Sequence, residues 1–64
     1  MSKEHYDLAR RYVQALLEEN NYNWPAVSGI LESNLASMMA GYYTPKFMAE
    51  YINRRIGEID EKSI

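Results

Sequence analysis

Residues 23–45 read NWPAVSGILESNLASMMAGYYTP and carry one charged side chain, Glu32. Both edges of that stretch are helix punctuation. Asn23 is a candidate N-cap, and Pro25 falls in the first turn, where a missing N–H costs nothing. Gly41 follows Met38, Met39 and Ala40 as a C′ residue able to take positive φ. Thr44-Pro45 then repeats the start signal, an N-cap followed by proline at N1. The spacing predicts a helix over 24–40, with Val27, Ile30, Leu31, Leu35, Met38 and Met39 on one side. The other side carries Gly29, Ser33, Ala36, Ser37 and Ala40, all small. Small residues at i, i+4 and i+8 admit a neighbouring helix closely, so this helix is expected to pack on two faces. Ser and Gly also lower helix propensity, which leaves open a break near Ser33-Asn34 and a four-helix variant.

Upstream, a helix is expected over 3–20. Ser2 is its N-cap and Glu4 sits in the first turn, where the macrodipole favours an acid. Tyr6, Ala9, Val13, Leu16 and Leu17 form an apolar stripe with Tyr12 on its flank, opposite Asp7, Arg11, Gln14 and Glu18. Asn20, Asn21 and Asn23 compete for the backbone and end it. Downstream, helix 45–57 presents Phe47, Met48, Tyr51, Ile52 and Ile56, with Ile59 added if it runs further. Arg54 and Arg55 suit a C-terminal turn ending at Gly57, leaving 58–64 as a further turn or a loose tail. Asp7–Arg11 and Glu50–Arg54 are well-oriented i,i+4 pairs. No strand pattern or repeat is present. The architecture expected is all-α, a small antiparallel three-helix bundle in a single domain, 1–64.

The chain has 64 residues, no cysteine, one histidine and a formal charge of −2. A domain of this size buries only about 60% of its unfolded surface, and its core rarely supplies more than about 3–5 kcal/mol. Disulfides are excluded, and one His without Cys cannot supply the usual zinc ligands. No cofactor is expected. Residues 1–19 hold three basic and four acidic side chains, and residues 46–64 hold four of each. Neither flank therefore steers nucleic acid or anionic membrane. The central run is broken by Asn, Pro and Glu and is too short to span a bilayer, and no signal peptide is read. A cytoplasmic protein is expected.

An enzyme is not expected. His5 sits among Lys3, Glu4 and Asp7 in the first turn, solvated and without a group to orient it as a base. The isolated glycines 29, 41 and 57 build no phosphate loop. More telling are the aromatics at the helix junctions. Tyr22 stands N′ to Asn23 and is expected to staple onto Val27; Tyr43 stands N′ to Thr44 and is expected to staple onto Met48. Trp24 and Tyr42 are left without such a role. With Met38 and Met39, they are the candidate partner-binding residues, either capping the core or anchoring an interface. Gly29, Ser33, Ser37 and Ala40 are the candidate self-association face.

The expected function is protein–protein binding by a regulator, adaptor or inhibitor that occupies a partner's surface, with homodimer formation. The alternative is a helix-turn-helix DNA-binding regulator, since Leu35, Ala36, Met39, Thr44, Met48 and Tyr51 loosely resemble that motif. Its nucleic-acid contacts would be Lys46, Asn53 and Arg54. Glu50, Glu58 and Glu61 share that face and oppose phosphate.

Overall fold

The computed structural model describes residues 2–62, which form three helices: α1 (Lys3–Glu19), α2 (Trp24–Met39) and α3 (Pro45–Lys62). Local chemistry accounts for most of the ends. Ser2 caps α1, its hydroxyl accepting from the His5 N–H at 3.2 Å. Thr44 caps α3, accepting from the Phe47 N–H at 3.1 Å. Both junctions are Schellman turns. At the first, the Tyr22 N–H donates to the Leu17 carbonyl (2.7 Å) and the Asn21 N–H to that of Glu18 (3.4 Å). At the second, the Tyr42 N–H donates to Ser37 and the Gly41 N–H to Met38, each at 3.0 Å. Gly41 takes φ +83°, as a C′ residue should, and Asn21 takes φ +55° in the corresponding place.

Helix α2 is continuous through Ser33-Asn34, as the three-helix expectation has it, and the Asn34 side chain turns inward to α1 rather than competing for its own backbone. Several other expectations are corrected. Asn23 makes no side-chain cap bond to α2. Gly57 does not terminate α3, which runs on to Lys62. Ile59, one turn beyond Ile56, is 3% exposed, and burying a side chain of that size is worth about 1.5–3 kcal/mol. That exceeds the roughly 1 kcal/mol that glycine costs inside a helix. Of the expected tail, 58–62 is thus helical and 63–64 lies outside the described residues. The stripe of α1 is also rotated. Tyr6 and Ala9 are exposed, whereas Tyr12, Ala15 and Leu16 are the buried positions. Arg54 comes no closer than 4.0 Å to Glu58, and neither Asp7–Arg11 nor Glu50–Arg54 closes as an ion pair.

The core unites Tyr12, Ala15 and Leu16 with Val27, Ile56 and Ile59; Leu8, Leu17, Ile30, Leu31 and Ile52 pack around it. Helix α1 packs most closely on α3 and also on α2, whereas α2 and α3 barely meet. Arg55 ties the ends of α1 and α3, donating to Glu19 at 3.0 Å and to Glu58 at 2.9 Å. Glu19 closes α1 and Arg55 lies in the second half of α3, so these two helices run parallel, and α2, which joins them in sequence, runs antiparallel to α1. The hydrogen bond to Glu58 is the main reason the Arg55 guanidinium is held above its ordinary pKa, against a smaller opposing effect of burial. One polar contact docks α2: the Tyr12 hydroxyl donates to Asn34 Oδ1 at 2.7 Å. Burial pushes the Tyr12 hydroxyl above the usual tyrosine value, and nearby Tyr51 adds to the effect.

Candidate interaction surface

Helix α2 turns Val27, Ile30, Leu31, Asn34 and Met38 toward the rest of the molecule, and only Val27 among these is fully buried. Leu35 and Met39, expected on the same side, instead face solvent. At 100° per residue they stand about 80° and 120° around the axis from Val27, which puts them past the edge of the contact with α1. Trp24, eleven positions before Leu35, falls on the same outer stripe. Exposure is large along it: 55% for Trp24, 57% for Leu35 and 81% for Met39.

The stripe runs into the second junction. Tyr42 occupies the C″ position of the Schellman turn, where an apolar side chain usually packs on C3 or C4. Here those positions are Ser37 and Ala36, which offer little to pack against, and Tyr42 is 79% exposed. Tyr43 stacks on Phe47, with ring centroids 4.8 Å apart and planes at 11°, and both rings remain partly exposed. Met48 is buried. Tyr22 takes φ +60°, and its side chain reaches back along α1, where Gln14 Nε2 donates to its hydroxyl at 3.3 Å.

Of the four candidate partner-binding residues, Trp24, Met39 and Tyr42 thus lie in the open and Met38 is half-buried. Leu35 and Phe47 belong to the exposed apolar set but were not among the expected site residues. The signal for Leu35 was present in its eleven-residue spacing from Trp24. The small-residue face is outward as well. Gly29, Ser33, Ala36 and Ala40 are exposed and Ser37 is half-buried. The expectation that a second helix of this chain packs there is therefore not met. A Cβ built on Gly29 would have no neighbouring atom within 4 Å. From Ser33 to Pro45 the chain carries no charge; Glu32 precedes the stretch and Lys46 follows it.

The nucleic-acid alternative concerns the outer face of α3, where Lys46, Asn53 and Arg54 are exposed. Asn53 Nδ2 donates to the Ala49 carbonyl at 3.1 Å. The Arg54 guanidinium lies over the Tyr51 ring, 5.7 Å from its centroid. Glu50 and Glu61 fall on the same arc of the helix as Lys46 and Arg54.

Elsewhere, an open trough of about 960 Å³ follows α1 from Tyr6 to Glu18, with Ile56 and Asp60 at its edge. The Arg10 guanidinium stands 5.9 Å from the Tyr6 ring centroid there. Among the described residues, no three His, Asp or Glu stand together as metal ligands, and no helix is long and apolar enough to cross a membrane. No family model, curated protein or solved structure matches the chain.

Proposed function

We propose that this chain is a small protein-binding module of the cytoplasm. It acts as a regulator, adaptor or inhibitor by occupying a partner protein's surface, and it self-associates. The observation that carries the reading is the exposed run Trp24, Leu35, Met39 and Tyr42 on a surface almost without charge. Interface cores are depleted in charge and enriched in Trp, Tyr, Phe and Met, and those aromatics are also where binding energy concentrates. Methionine adds an adaptable apolar contact.

A helix-turn-helix function would need α3 to present cations to phosphate. On its outer face Lys46 and Arg54 stand among carboxylates, and α2 hardly supports α3. Two experiments test the choice. On heparin or DNA-cellulose, the protein is expected to elute at low salt; retention with a steep salt dependence, lost on Lys46→Ala and Arg54→Ala, would favour the nucleic-acid reading instead. In the second, wild-type and Met39→Glu chains serve as bait in the native host. Proteins retained by the first and lost by the second support the proposal, and identical capture by both counts against it.

A further inference from the structure

The exposed parts of Trp24, Leu35, Met39, Tyr42, Tyr43 and Phe47 come to roughly 700 Å² when 150–250 Å² is taken for a large aromatic and somewhat less for Leu. A standard specific interface removes about 800 Å² from each partner. The area this chain leaves uncovered is therefore about one protomer's share of a stable complex.

We propose that the occupant is a second copy of this chain, paired about a two-fold axis across the outer face of α2 and the turn that follows it. The proposal rests on the protein-binding reading above and names its partner. Charge selects the second copy. A two-fold interface brings a surface against itself, so it must be self-complementary. A charged surface meets that condition only with paired opposite charges, whereas an uncharged one meets it directly. Between Ser33 and Pro45 there is no charge to match, and the oppositely charged Glu32 and Lys46 stand at the two ends of that stretch. Core size points the same way. Among the described residues seven apolar side chains are buried, one of them from α2. A fold so thinly held on that side gains from an occupant present wherever the chain itself is made.

Sedimentation equilibrium from about 1 to about 100 μM, the weak end of the range such interfaces span, tests this directly. The mass is expected to approach twice 7.5 kDa at the upper end, with Trp24 emission shifting to the red on dilution. Leu35→Glu and Met39→Glu are each expected to raise the dissociation constant at least about tenfold. Both side chains are exposed, so the far-UV circular dichroism should not change. Asn53→Glu, on the outer face of α3, should leave association unaltered. A single 7.5 kDa species at every concentration, or a dimer indifferent to both α2 substitutions, overturns the proposal. If Met39→Glu bait still loses its captured proteins in that event, only self-pairing fails; if it loses none, the protein-binding reading fails too.

Discussion

Replacing Gly57 with alanine should stabilise the protein. Gly57 lies in the interior of α3, five residues before Lys62, and it is exposed. A Cβ built there meets no atom within 4 Å, and its φ is not in the left-handed region. Alanine therefore adds no clash and no strain, while removing conformational freedom from the unfolded chain. In a helix interior the exchange is worth about 0.8–1.0 kcal/mol. For a domain of 60–100 residues, 1 kcal/mol corresponds to about 4–8 °C in Tm, so Gly57→Ala should melt about 3–8 °C higher. Thermal unfolding followed by circular dichroism at 222 nm reads this. Wild type and variant must be compared at one protomer concentration, because the proposed self-association would make Tm depend on it. A lower Tm would refute the reasoning. It would mean that Gly57 holds a left-handed C′ conformation ending α3, where alanine costs about 1–2 kcal/mol.

Gly41→Ala is the opposite case. With φ +83° in the Schellman turn, alanine should cost about 1–2 kcal/mol in urea unfolding, and a neutral result would remove the turn geometry. Tyr12→Phe deletes the 2.7 Å bond to Asn34 and should cost about 1 kcal/mol at neutral pH; no loss would show that α2 does not dock through it. The same residue shapes the alkaline limb. Below about pH 10, the ordinary tyrosine value, Tyr12 is protonated folded and unfolded alike. Above it the unfolded chain releases the proton first, since burial raises the folded value, so stability should fall as pH rises. Tyr12→Phe should make that fall shallower. A double-mutant cycle on Glu19→Gln and Arg55→Gln should return a coupling of about 0.5–1 kcal/mol, near the upper range for partly exposed pairs; additivity would mean that the 3.0 Å contact contributes nothing to holding α1 on α3.

The helix count, the Ser2 and Thr44 caps and the Gly41 turn are legible in the sequence because each is decided within a few residues. The rest depends on packing. Arg54, Arg55 and Gly57 read as a helix end, and only the burial of Ile59 against the other helices keeps α3 going. On α1, Tyr6, Ala9 and Val13 compete with Leu8, Tyr12 and Ala15 for the inward side, and the periodicity of each is adequate. The position of α3, tied to α1 through Arg55 and Glu19, decides between them. Helix α2 is hardest to orient, being apolar on one side and small on the other. Asn34 is the pivot, since its bond to Tyr12 turns Leu35 and Met39 outward and leaves Gly29 and Ser33 without a neighbouring helix. Trp24 and Tyr42 stand out by elimination, because capping chemistry uses neither. The stack of Tyr43 on Phe47 and the bond from Gln14 to the Tyr22 hydroxyl depend on tertiary placement and have no such local signal.

We propose that the molecule meets its partners through the outer face of α2 and its following turn, not through the outer face of α3. Site-specific photocrosslinking in the native host distinguishes the two faces, with a benzophenone side chain placed at Met39 in one version of the chain and at Asn53 in another. Both positions are exposed, so neither placement should disturb the fold. The account predicts protein adducts from position 39, including the crosslinked dimer, and none from position 53. Adducts to protein or nucleic acid from position 53, with position 39 silent, would contradict it.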